Sequence, residues 1–105
     1  MIDRGDIRWF RFDRPDKRRP VLVMGRPDLL PSWSLVPVIP LSSQVRGLPW
    51  EVRLGPDDGL PELCVLKPEW IRAVPREQLG PWIAKLPNGK WPEIARVLVD
   101  VLGLS

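Results

Sequence analysis

Three groups of side chains have the types and spacing to work on a phosphate. The first is Lys17-Arg18-Arg19, set directly before Pro20 and the apolar run of residues 21–24. A residue preceding proline is held extended, and a following strand would anchor it. Arg19 could then present its planar fork to phosphate oxygens, with Lys17 and Arg18 adding field. A solvated basic turn is the alternative reading of these residues. The second group lies in "PLSSQVRG", residues 40–47, where Ser42 and Ser43 are followed by Arg46. Their hydroxyls can donate to a phosphate oxygen or position a leaving group; a serine-bearing loop is the plainer reading. The third is "VLKPEWIR", residues 65–72, which gathers Lys67, Glu69 and Arg72. Glu69 beside two cations is either a base or the partner in a surface ion-pair cluster.

Missing residue types narrow the chemistry further. The 105-residue chain contains no histidine and one cysteine, Cys64. Without histidine there is no Ser-His-Asp or Cys-His catalysis, no imidazole proton relay and almost no zinc chemistry. A single cysteine excludes an internal disulfide and a cysteine metal cluster. An enzyme built from this chain must work with Arg, Lys, Asp, Glu, Ser or Cys, and no cofactor is expected.

Charge adds a direction. The formal net charge is +3, and the first 20 residues alone carry seven basic and four acidic side chains, the same excess. A local basic patch suits a polyanionic partner better than diffuse basicity does. Of the six tryptophans, Trp33 and Trp50 fall in expected loops, where they could stack bases or fill a protein interface.

The elements that must position these groups are short. Residues 5–13 alternate and read as a strand. Residues 21–25 form a continuous apolar run, as in a strand buried on both faces. Residues 35–41 read as a third strand, whose Pro37 and Pro40 predict an edge or a bulge. A fourth covers 51–55. Residues 63–74 hold one or two more, broken near Pro68. Residues 76–86 hold one helical turn, limited by Gly80-Pro81. Ile94, Val97, Leu98, Val101 and Leu102 recur at helical spacing, with Pro92 in the first turn and Gly103 as the stop. Many short strands followed by one helix predict a small, strongly bent barrel in a single domain, residues 1–105. At 44% hydrophobic and 28% charged residues, the composition is that of an ordinary globular chain. No apolar run approaches a membrane span of roughly 18 residues, and the charged N-terminus does not read as a signal peptide, so a cytoplasmic protein is expected.

Several blocks, taken in order, resemble one family. "RGDIRWFRFD", "RRPVLVMGR", "VIPLSSQVRGLPWEVRLGPDDGLP" and "IRAVPREQLGPWIAKLP", then the terminal helix, resemble the MazF/PemK toxin endoribonucleases from about Arg4 to Leu104. The resemblance implies a mostly β, SH3-like barrel with a C-terminal helix, the CcdB/PemK-like toxin fold, assembled as a homodimer. It implies metal-independent, sequence-specific cleavage of single-stranded RNA. The substrate 2′-OH attacks the phosphate and leaves 2′,3′-cyclic phosphate and 5′-OH ends. It also implies a small acidic MazE-like antitoxin whose disordered tail wraps the groove.

Residue by residue, the resemblance makes Arg19 the stabiliser of the phosphorane. Ser42 takes the place of a family threonine, keeping the hydroxyl without the methyl that restricts its rotamer. Lys67 and Glu69 stand where one branch of the family has an arginine and an aspartate, as substrate or proton-transfer contacts. Lys17, Arg18 and Arg46 supply groove electrostatics. The first loop, "DRPDKR", is shorter than the family's usual one. The alternative is a non-catalytic toxin on the same barrel, such as a CcdB-like binder of DNA gyrase. A gyrase binder has no need of Arg19 and Ser42 beside one groove.

Overall fold

The computed structural model describes residues 1–13 and 18–104. Seven antiparallel strands, β1 (Asp6–Arg11), β2 (Arg18–Val23), β3 (Leu35–Ser42), β4 (Val52–Leu54), β5 (Cys64–Leu66), β6 (Arg72–Pro75) and β7 (Trp82–Lys85), precede one helix, α1 (Trp91–Val101). Their order is β4-β5-β3-β2-β1-β7, with β6 also paired to β3. The architecture is the mostly β, helix-terminated fold that the sequence predicts. No helix among the described residues is long and apolar enough to cross a membrane.

Alternation along the central strands creates two cores. Leu22, Ile39 and Leu41 point into one cluster, while Val21, Val23, Val36 and Val38 point into the other. All seven are fully buried, so β2 is covered on both faces as its apolar run predicts. β2 also begins earlier than the apolar run: Arg18 and Arg19 are strand residues, paired with Arg11 and Phe10 of β1.

Two expectations need correction. Pro37 and Pro40 lie in the most central strand, not at an edge. β3 pairs with β2 on one side and with β6, then β5, on the other. The Pro37 carbonyl accepts from Met24 N–H, just past the end of the β2 ladder, and the Pro40 carbonyl accepts from Lys67 N–H, just past the end of β5. In a strand the N–H and C=O of one residue point the same way. Both missing donors therefore face places where a ladder has ended. The second correction is β7. The helical turn expected in residues 76–86 is present as a 3₁₀ turn, Arg76–Gln78, but Trp82–Lys85 after it pairs with β1. With only Ala84 buried, its pattern is too short to announce a strand whose partner is so distant in sequence.

α1 lays Ile94 and Val97 into the first core. Leu98 and Val101 are half-buried and Leu102 is exposed, so the apolar stripe is covered at its N-terminal end and open at its C-terminal end. Gly103, at φ +71°, closes the helix: its N–H donates to Asp100 O and Leu104 N–H donates to Val99 O. This is a Schellman ending. α1 also packs on the 3₁₀ turn Pro68–Trp70, which borders the site described next.

Candidate active site

The site arises where β2 and β3 part. β2 stays paired to β1 down to Arg18, but its ladder with β3 runs only from Val23 to Val21. Beyond Pro40, β3 gives Leu41 and Ser42 to β5 instead. Continuing the Val21–Pro40 register by two residues places Arg19 and Ser42 opposite each other on one face. The diverging strand ends open a cleft of about 500 Å³, lined by Arg18, Arg19, Ser42, Ser43 and Trp70 among others.

Three polar groups in the cleft are held. The half-buried Arg19 guanidinium lies 5.7 Å from the Phe12 ring centre and 5.6 Å from that of Trp70. Arg18 is exposed but packs 4.3 Å over Trp9, so it is better fixed than its loop-like sequence suggests. Ser42 Oγ accepts a hydrogen bond from Gln44 N–H at 3.1 Å. With a lone pair so engaged, the hydroxyl proton remains to be donated into the cleft. Two other ionisable groups line the space, Glu62 and Cys64. Burial, and then the Glu62 charge, push the Cys64 thiol up, so it stays protonated and poorly nucleophilic.

A buried charge cluster sits behind these residues. Glu51 accepts from the backbone N–H groups of Arg46, Gly47 and Leu48 at 3.1, 2.9 and 3.2 Å. Lys67 Nζ lies 3.5 Å from Glu51 and 3.5 Å from Glu69, and Trp50 Nε1 donates to Glu69. Burial pushes the Glu51 carboxyl up, but the three N–H donors and Lys67 outweigh it and hold the group below the usual carboxylate range. The cluster fixes residues 46–51 against the segment that follows β5.

The predicted residues therefore separate. Arg18, Arg19 and Ser42 come together in the cleft. Lys67, expected as a substrate or proton-transfer contact, has a side chain 6% exposed that lies against Glu51 and does not line the cleft. Glu69, more open, is engaged by Lys67 and Trp50 and does not line the cleft. Arg46 is exposed beside the site, 3.4 Å from the side chain of Gln44, a cleft residue. Lys17 lies outside the described residues. Trp33 and Trp50 are packing residues, half-buried against the second and first cores, not free stacking surfaces. Sequence reasoning missed Glu51, Glu62 and Trp70 as site-related residues. Glu51 carried a signal of sorts, a carboxylate just after the Arg46-Gly47 turn, whose backbone donors need an acceptor.

Comparison with known proteins identifies the family of this fold. Residues 3–102 match the family model of the PemK-like, MazF-like toxins of type II toxin–antitoxin systems. The chain belongs to this family. It is 32% identical over 90 residues to Endoribonuclease MazF3 of Mycobacterium tuberculosis, covering 86% of this chain and 87% of that protein. The solved structure of the Mycobacterium tuberculosis toxin MazF-mt6 superposes with a TM-score of 0.86 at 29% identity, over 95% of this chain and 98% of that one. A MazE–MazF structure from Deinococcus radiodurans gives a TM-score of 0.78 at 26% identity, over 99% and 97% of the two chains. The bent sheet with its terminal helix is thus the toxin barrel of this family.

Proposed function

We propose that this chain is the toxin of a type II toxin–antitoxin pair, a single-domain, metal-independent endoribonuclease that cuts single-stranded RNA in the cytoplasm. The observation that carries the reading is the placement of Arg19 and Ser42 across one cleft at the parting of β2 and β3. The chemistry needs a site for a dianionic phosphorane, because the substrate supplies the nucleophile. The 2′-OH attacks the adjacent phosphate, the 5′-oxygen leaves, and the products are 2′,3′-cyclic phosphate and 5′-OH ends.

In this mechanism Arg19 stabilises the charge that builds on the phosphorane oxygens. Its permanent charge makes it an electrostatic group and not a proton carrier. Ser42 donates its hydroxyl to a non-bridging oxygen. Among the described residues, Glu62 is the carboxylate lining the cleft, and it takes the 2′-OH proton and returns it to the departing 5′-oxygen. Arg18 and Arg46 hold flanking phosphates, and Lys17 adds to the field of the first loop. Lys67 and Glu69 act from behind, by fixing Glu51, Trp50 and the loop they hold. The same basic groove receives the acidic tail of a MazE-like antitoxin, and two copies of the chain form the working homodimer.

The test is incubation of the purified protein with mixed-sequence RNA in EDTA, followed by end mapping. The expected result is a set of discrete cuts with 5′-OH ends. Intact RNA from folded protein, or arrest of DNA gyrase without RNA cleavage, would overturn the reading in favour of a CcdB-like binder.

A further inference from the structure

A smaller cleft of about 310 Å³ adjoins the first, lined by Phe12, Arg19, Pro40, Trp70 and Arg72. Arg19 and Trp70 belong to both clefts, so they form the shared wall. We propose that this smaller cleft is a subsite for the nucleotide next to the scissile phosphate, with Trp70 stacking its base and Arg72 binding its phosphate. The inference rests on the endoribonuclease reading and adds to it the residues that grip the flanking nucleotide.

Trp70 has the properties of a platform. It is 43% exposed although it is the chain's largest type of side chain. Its mounting is rigid: it ends the 3₁₀ turn Pro68–Trp70, its N–H donates to Lys67 O at 2.9 Å, and α1 packs behind the turn. Two cations lie near the ring, Arg19 at 5.6 Å and Lys67 Nζ at 5.2 Å from its centre. An exposed indole on the wall of a basic cleft is a recurring device for holding single-stranded bases.

Arg72 supplies the second half. It is exposed, its guanidinium lies 5.3 Å from the Phe12 ring centre, and no carboxylate among the described residues pairs with it. Arg19 approaches the same ring at 5.7 Å. Two guanidinium groups therefore lie near one aromatic ring that lines the smaller cleft, and the exposed Arg72 fork is placed to bind a backbone phosphate. A strand whose scissile phosphate sits at Arg19 has its neighbouring nucleotide at Trp70 and Arg72.

The experiment measures binding of two fluorescein-labelled strands by anisotropy. One is a mixed-sequence 2′-O-methyl RNA of twelve nucleotides, which cannot be cut because the attacking hydroxyl is blocked. The other is an abasic strand with the same number of phosphates. Trp70→Ala should weaken binding of the first strand roughly tenfold or more and leave the abasic strand unchanged. Trp70→Phe, which keeps a stacking face, should recover most of that loss. Arg72→Gln should weaken both strands alike and lower the salt dependence by about one phosphate contact. Equal losses on both strands for Trp70→Ala, or no loss on either, would overturn the subsite. Unchanged binding of both strands, with weaker binding of a fluorescein-labelled acidic peptide measured alongside them, would also overturn it and point to the antitoxin. Whether the wild-type protein cuts ordinary RNA is read separately, so failure of the nuclease reading is not confused with failure of the subsite.

Discussion

Lys67→Met separates support from chemistry. Lys67 Nζ has two carboxylates at 3.5 Å, Glu51 and Glu69, and its side chain is 6% exposed. Methionine keeps an unbranched apolar stem, one heavy atom shorter, and removes the charge. The buried Glu51 then loses its counter-ion. Deleting one partner of a buried ion pair costs about 3–5 kcal/mol. Because Glu51 keeps three backbone N–H donors, the Lys67 change belongs at the low end, about 3 kcal/mol. At about 4 °C per kcal/mol for a domain near this size, the melting temperature should fall by roughly 12 °C. Adding Glu51→Gln removes the stranded charge, so the double variant should melt higher than the sum of the single losses predicts. Thermal melts of the four proteins give the coupling, and RNA cleavage is read at a temperature where all are folded. There, Lys67→Met should stay within about tenfold of the wild-type rate. An unchanged melting temperature with a rate loss of a hundredfold or more would refute the reasoning and return Lys67 to the substrate.

Other outcomes follow from the same geometry. Glu51 titrates below its ordinary value of 4.5 in the folded chain, so its stabilising contribution is complete above that value and disappears as pH falls through the folded one. Melts taken from about pH 6 to about pH 3 should show this acid loss, and Glu51→Gln should flatten it. Ser42→Ala should lower the cleavage rate with little change in stability. Ser42→Thr, which keeps the Oγ while restricting its rotamers, should cut at least as fast as the wild type; a Thr variant as slow as the Ala variant would remove the hydroxyl from the mechanism. Ile94 is fully buried where α1 meets the first core, so Ile94→Ala should cost about 2–5 kcal/mol by thermal or denaturant unfolding.

The sequence makes the architecture legible where patterns are local. The two-sided burial of residues 21–23, the break near Pro68, and α1 with its glycine stop are each specified by a few neighbouring residues. β7 and the central position of β3 are not, because both depend on partners far along the chain. The prolines of β3 illustrate the limit: proline argues against a central strand unless its missing donor meets the end of a ladder, and that is a tertiary fact. In the site, Arg19 and Ser42 are legible through family resemblance, while their register is not, since it depends on where β2 and β3 part. Lys67 shows the opposite case. Beside Pro68 and Glu69 it reads as a solvent-facing charge, but its place just past the end of β5 turns it inward to a carboxylate sixteen residues earlier in the chain. Trp70 and Trp50 differ in exposure because the turn Pro68–Trp70 aims one at the cleft while Glu69 ties the other down, and composition does not distinguish them.

The most direct test of the account is the rate of RNA cleavage in EDTA by Arg19→Ala beside the wild type, with melts of both to confirm folding. Losing the main phosphorane-stabilising charge should slow cleavage by about a hundred- to a thousandfold while the protein remains folded. Discrete cuts made at the wild-type rate by folded Arg19→Ala would contradict the assignment of the cleft as the active site.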